Sequence, residues 1–258
     1  MLKGKVAIVT GSGNGVGKGI ALRLSQKGAD IVVNDIDGAA ANEVAKMIKE
    51  QGGNAIAVKA DVSKKSEVEI LVQTTVTEFG RLDILVNNAG ECKAALLEDM
   101  TEEDWDRVID VDLKGTFLCT QAAVPHMRKG KYGRVINISS PDALIGETGM
   151  VNFISAKAGV LGLTISVAKE FSRYINEEGC VMTCNAVLVG YSPTNMTEEL
   201  FPEHARDHFA DVVPLGRPAD PEKDVGSTVA FLASEKASYI TGAKIPVTGG
   251  LFACISSY

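Results

Sequence analysis

The stretch KVAIVTGSGNGVGKGIALRL, residues 5–24, decides the fold. Its first six residues are a short β-branched run suited to a buried parallel strand. Glycines at 11, 13, 15 and 17 follow, and then Ile20, Ala21, Leu22 and Leu24 mark an amphipathic helix. Strand, glycine-rich turn and helix together make a phosphate site. The turn lets backbone approach a pyrophosphate, and the helix N-terminus presents free N–H groups at the positive end of its dipole. Glycines alone would equally fit a tight structural turn. A second strand at 30–34 with Asp35 just beyond it makes nucleotide binding the better reading.

Outward from this unit, strand and helix patterns alternate to the end of the chain. A helix at 38–51 carries Val44, Met47 and Ile48 as its inward stripe, and a strand at 55–60 leads to Asp61 and Val62. A helix at 67–79, a strand at 82–86 and a long helical region at 102–127, broken near its end by Pro125, come next. A strand at 133–138, a helix at 152–170, a strand at 184–189 and a helix at 221–233 follow, and segments 240–242 and 245–250 close the sheet. Such alternation predicts an α/β chain with a parallel sheet between helices. No repeat, low-complexity segment or linker divides residues 1–258, so one domain is expected.

Bulk composition narrows the function classes. The formal charge is −7, with basic residues scattered among acids, which speaks against nucleic acid as a partner. Hydrophobic residues at 45% and charged residues at 23% describe a globular chain. Uninterrupted apolar stretches fall well short of the roughly 18 residues of a membrane span. The N-terminus leads straight into a strand with no room for a signal peptide. A cytoplasmic protein without a membrane partner is expected. Cys92, Cys119, Cys180, Cys184 and Cys254 are odd in number and fit no zinc spacing, as thiols of a reducing compartment would be. His204 and His208 stand at helical spacing without a third ligand, so no metal is expected.

Three motifs carry a resemblance. Thr10-Gly11-x-x-x-Gly15-x-Gly17 opens the chain, and Asn87-Asn88-Ala89-Gly90 follows the fourth strand. Ser140 ends the fifth strand, and Lys157 lies four residues after Phe153, one helical turn on. Together they resemble the short-chain dehydrogenase/reductase family along essentially the whole chain. The resemblance implies a single-domain Rossmann-type fold, a doubly wound parallel β-sheet flanked by helices. It also implies a nicotinamide cofactor and hydride transfer between that cofactor and a secondary alcohol or ketone. Gly11, Asn14, Gly15, Val16 and Gly17 would hold the pyrophosphate, Asp35 and Ile36 the adenosine ribose, and Asp61 and Val62 the adenine. Asn88, Ala89, Gly90, Lys157, Val189, Gly190 and Thr194 would border the nicotinamide and its ribose. A carboxylate at Asp35 repels a 2′-phosphate, and Asn14 rather than arginine stands in the turn, so NAD is expected over NADP. Asp61 equally reads as an N-cap for the next helix. Substrate would meet Glu91, Cys92, Asp142 and Tyr191, under a lid near 195–214 that carries His204, Arg206, His208 and Phe209. Small residues Ala156, Ala158, Gly159 and Gly162 match the family's dimer-forming helix contact, so a homodimer or homotetramer is expected.

The chain departs from the family where the chemistry lies. Phe153 stands where the family has an acid–base tyrosine, and Asp112, expected to add a charge facing Lys157, stands where it has an asparagine. Val189-Gly190 replaces Pro-Gly, and Thr248 replaces an aspartate. Tyrosine titrates near 10, and a neighbouring lysine is what brings its phenolate within reach. Phe153 keeps the ring and has no proton to move, and losing a positioned acid or base forfeits about 10²–10⁴ in rate. Three readings stand open: an NAD-dependent alcohol dehydrogenase or carbonyl reductase impaired by loss of its tyrosine; an enzyme with acid–base work moved to Asp112, Glu91 or Asp142; and a non-catalytic NAD-binding protein or inactive partner subunit.

Overall fold

In chain order the elements are β1 (Val6–Val9), α1 (Gly15–Gln26), β2 (Asp30–Asp35), α2 (Gly38–Glu50), β3 (Ala55–Lys59), α3 (Lys65–Phe79) and β4 (Ile84–Asn87). Next come α4 (Glu102–Val108), a π-helical turn (Ile109–Lys114), α5 (Gly115–Lys129), β5 (Tyr132–Ser139), α6 (Asp142–Ile145) and α7 (Val151–Glu178). β6 (Val181–Val189), α8 (Asn195–Leu200), a second π-helical turn (Pro221–Gly226), α9 (Ser227–Leu232) and β7 (Lys244–Val247) complete the order. The structure is a computed structural model that describes residues 1–200 and 212–251. Most of the expected lid, with His204, Arg206, His208 and Phe209, lies outside the described residues, as does Cys254.

The strands form one parallel sheet in the order β3-β2-β1-β4-β5-β6-β7. Alternate residues point to opposite faces, and the two cores show it directly. Ala7, Val9, Ile31, Val33, Ile84 and Val86 pack with α1, α2 and α9 on one face. Ile8, Val32, Leu85 and Val135 pack with α3, α5 and α7 on the other. Both faces are covered, which is why these strands read as unbroken apolar runs. This is the single-domain α/β architecture expected from the sequence. The order reverses direction between β1 and β4, and a crevice opens outside the strand ends at that point, where such sheets bind ligands.

Several boundaries differ from the sequence reading. The helix across Pro125 does not break there and runs on to Lys129. The π-helical turn before α5 went unforeseen, because sequence periodicity registers apolar spacing and not the extra residue of a wide turn. Segment 240–242 forms no strand, and β7 alone closes the sheet. α7 is longer than expected. Its segment Val151–Ile175 has mean hydropathy 1.5, enough by length and composition to cross a membrane. Counting uninterrupted apolar residues missed it, since isolated charges break a run but scarcely lower an average. In the fold Ala156, Val160, Leu161 and Phe171 of this helix are buried against the sheet and neighbouring helices.

Candidate active site

The crevice holds a cleft of about 460 Å³ that runs from the glycine turn to the start of α7. At its first end, backbone is fastened by side chains. Asn88 donates through Nδ2 to the carbonyls of Thr10 and Gly11, at 3.0 and 2.9 Å. Thr10 Oγ1 accepts from the N–H groups of Asn88 and Ala89, both at 3.0 Å. Ser12 donates to the Val9 carbonyl at 2.7 Å. The turn is thereby tied to the ends of β1 and β4. A Cβ at Gly17 would meet the Gly11 carbonyl oxygen at 2.3 Å, so only glycine closes this turn. Asn14, the N-cap of α1, makes no side-chain cap, which leaves the first N–H groups of the helix to a ligand.

Asp35 closes this end of the cleft. Its Oδ2 accepts from the Gly13 N–H at 2.9 Å and its Oδ1 from the Asp37 N–H at 3.0 Å. Ile36 beside it is exposed. Asp61 and Val62 line the cleft, but Asp61 also accepts from the N–H and hydroxyl of Ser63, at 3.0 and 2.7 Å. The N-cap expected as the alternative for Asp61 is not formed, since Lys64 is the N-cap of α3 and has no side-chain cap, and Asp61 instead closes the turn at Ser63. Ala89, Gly90, Val189, Gly190 and Thr194 line the same cleft.

At the second end, charged side chains face one another. Lys157 Nζ lies 2.9 Å from Asp112 Oδ2, and both residues are buried. Asp112 Oδ1 accepts from the Glu91 N–H at 2.8 Å, and Lys157 also donates to the Ile138 carbonyl at 3.4 Å. Burial pushes the Asp112 carboxyl up, against the opposing pull of Lys157. The π-helical turn delivers this carboxylate to the lysine, as such turns often do at functional positions. Gly90 makes room for the pair, since a Cβ there would stand 2.9 Å from Asp112 Oδ2. The Phe153 ring lies one turn before Lys157, its centroid 5.3 Å from Nζ.

Ser140 forms a second pair. Its hydroxyl donates to Asp142 Oδ2 at 2.7 Å, and the Asp142 N–H donates back to Ser140 Oγ at 3.2 Å. Burial raises the Asp142 carboxyl, the Ser140 hydroxyl pulls it down, and the charge of Glu147 raises it again, leaving it above the usual carboxylate range. Glu91 instead pairs with Arg107 Nε at 2.7 Å and faces Lys93 at 3.8 Å. Cys92 also lines the cleft, but burial first and Asp112 second push its thiol up to about 11, which leaves a poor nucleophile. Tyr191 completes the expected group.

Met150, Met196, Val212, Val213 and Leu251 add apolar lining to the cleft. Met196, Val212 and Val213 fall within the lid expected near 195–214, whereas reading the sequence alone overlooked Met150 and Leu251, which lie far apart in the chain and share no local spacing. Asn152, fully buried, donates to the carbonyls of Lys93 and Asp104 at 3.1 and 3.2 Å and pins that loop against α7. Asn87 donates to Asn137 Oδ1 at 2.8 Å, and Asn137 to Thr164 at 2.9 Å, a buried chain beneath the cleft floor. A polar residue inside an apolar strand was the available signal for Asn137.

Known proteins resemble this chain along nearly its whole length. Residues 11–252 match the family described as Enoyl-(Acyl carrier protein) reductase. The (3R)-3-hydroxyacyl-CoA dehydrogenase of Mus musculus is 42% identical over 260 residues, covering 97% of each chain. The 3-oxoacyl-[acyl-carrier-protein] reductase FabG of Staphylococcus aureus is 42% identical over 250 residues, covering 96% of this chain and 98% of that one. A solved structure from Sinorhizobium meliloti, classed as a short-chain alcohol dehydrogenase, superposes with a TM-score of 0.91 at 32% identity over 98% of both chains.

Proposed function

The chain belongs to the short-chain dehydrogenase/reductase family, and we propose on that premise that it is an NAD-dependent oxidoreductase acting on a secondary alcohol or its ketone. One observation carries the reading. A single cleft joins the glycine turn and Asp35 at one end to Ser140 and Lys157 at the other. The cradle suits a dinucleotide, because the turn keeps its backbone bare at Gly17 and the helix start uncapped at Asn14. Asp35 would take the adenosine ribose hydroxyls and repel a 2′-phosphate. Ser140 would hold the substrate oxygen, and Lys157 the nicotinamide ribose. A bound nicotinamide supplies or accepts the hydride.

The named relatives act on 3-hydroxyacyl-CoA and 3-oxoacyl-[acyl-carrier-protein], so 3-hydroxyacyl and 3-oxoacyl thioesters lead the substrate classes to be tried. The wall of Met150, Met196, Val212 and Val213 suits an acyl chain. A homo-oligomer built on α7 is part of the same proposal. Calorimetric titration with NAD and NADP, followed by turnover of a panel of secondary alcohols, ketones and these thioesters, tests the reading. Tighter binding of NADP would overturn the preference assigned to Asp35.

A second reading has its own observation. Phe153 stands in the place that the family gives to an acid–base tyrosine, and the charge of Lys157 already faces Asp112 at 2.9 Å. A chain built this way could bind NAD as a non-catalytic partner subunit. NAD binding with no turnover of any panel member favours that reading.

A further inference from the structure

We propose that Ser140 and Asp142 form a proton-transfer pair, in which Ser140 meets the substrate oxygen and Asp142 supplies or removes the serine proton. The inference rests on the oxidoreductase reading and names the groups that do the work position 153 cannot do. Three carboxylates stand near the reacting end, and their surroundings separate them. Asp112 is fully buried, with one oxygen on Lys157 and the other on the Glu91 N–H. Glu91 is held by Arg107 and Lys93. Asp142 forms no ion pair with a described residue, lines the cleft, and shares a 2.7 Å hydrogen bond with Ser140. The charged group acting on it is Glu147, in the loop that follows α6.

The two protonation states of Asp142 orient Ser140 for the two directions of reaction. With Asp142 ionised, the Ser140 hydroxyl points at the carboxylate, and its oxygen, which takes the Asp142 N–H on one lone pair, has the other to accept from an alcohol. As the alcohol is oxidised, its O–H bond breaks, the proton passes to Ser140 Oγ, and the serine's own proton moves to Asp142 Oδ2. A bound oxidised nicotinamide would accept the carbinol hydrogen with its electron pair as hydride, so charge and electrons balance. With Asp142 neutral, the carboxyl donates to Ser140 Oγ and the serine proton turns to a ketone oxygen, which closes the reverse reaction. Burial and the charge of Glu147, which raise the Asp142 carboxyl, bring its proton nearer to working pH.

Two measurements test the pair. In the ligand-free chain, carboxyl carbons of labelled aspartate are titrated by NMR, and Asp142 is assigned by its loss in Asp142→Asn. A midpoint above the ordinary value of about 3.9, rising further in Ser140→Ala, is expected. A midpoint at the ordinary value, indifferent to Ser140, overturns the proposal. In turnover with NAD, Asp142→Asn should lower kcat at least tenfold and remove the acidic limb of its pH profile, while Asp142→Glu retains part of both. An active parent whose Asp142→Asn variant keeps its kcat and pH profile sinks the proton pair and leaves the oxidoreductase reading intact. A parent that binds NAD and turns over nothing sinks the oxidoreductase reading itself, and the catalytic use of the pair with it.

Discussion

The two ends of the cleft are built from different kinds of interaction. At the glycine turn, side chains satisfy backbone: Asn88, Thr10, Ser12 and Asp35 each bond a main-chain group. At the start of α7, side chains bond backbone too, but they also pair with one another: Lys157 faces Asp112, and Ser140 faces Asp142. Bonds to backbone fix a shape and leave charge available to a ligand. Bonds between side chains hold charge in place, so each member depends on its partner's identity. The first end is therefore a mould, and the second a balanced set of charges.

The largest expected effect breaks that balance. Lys157→Met leaves Asp112 buried without its cation, and removing one partner of a buried pair costs about 3–5 kcal/mol. Urea unfolding should show this loss, and the double variant Lys157→Met/Asp112→Asn should recover most of it. Equal stability of the single variant and the parent would show that the pair holds nothing. Restoring chemistry comes next. Phe153→Tyr should raise turnover at least ~10-fold, a small part of what a positioned acid or base contributes. Adding Asp112→Asn should raise it about tenfold more, because the buried carboxylate offsets the lysine charge that lowers a phenol. Steady-state rates of both variants decide it, and identical rates would remove Asp112 from the account.

The mould end should respond more locally. Asp35→Ala should weaken NAD binding roughly tenfold, about 1.4 kcal/mol, with NADP affinity unchanged or improved. Calorimetry reads both, and an equal fall for the two cofactors would assign Asp35 a purely structural part. The smallest effect belongs to pH. The native Asp142 carboxyl keeps its proton where an unfolded aspartate, at about 3.9, has lost it. Its contribution to stability is thus full below that value and declines as pH rises through the raised native midpoint. Asp142→Asn should flatten this part of the urea-midpoint profile above the unfolded value of about 3.9, and an unchanged slope would contradict the raised carboxyl.

Legibility followed the same division. Residues 5–24 were readable because strand, turn and helix are local, and the glycine spacing records a steric demand that the fold then makes at Gly17. Asp112 was expected to face Lys157 and does so at 2.9 Å, but the π-helical turn that brings it there is encoded by no apolar periodicity. Asp142 stood out as a substrate-facing residue and as one of three candidates for the acid–base work, and its bond to Ser140, which singles it out, arises from the turn into α6. Met150 and Leu251 were illegible as lining of this cleft, since distant segments bring them to it only in the folded chain.

The π-helical turn at Ile109–Lys114 also constrains how this chain can change over generations. Relative to an α-helix it accommodates a residue beyond the regular turn, so losing one residue inside it can be absorbed by tightening to an α-turn, whereas a deletion in α5 would rotate everything after it by about 100°. Thr116, Leu118, Cys119 and Ala123, all buried on α5, would keep their contacts in the first case and not in the second. Losing the extra residue would cost the aim of Asp112 at Lys157, whereas a single-base change that swaps carboxylate for amide at position 112 leaves the backbone in place. Aim and charge at this position can thus change separately, on a scaffold that keeps its packing.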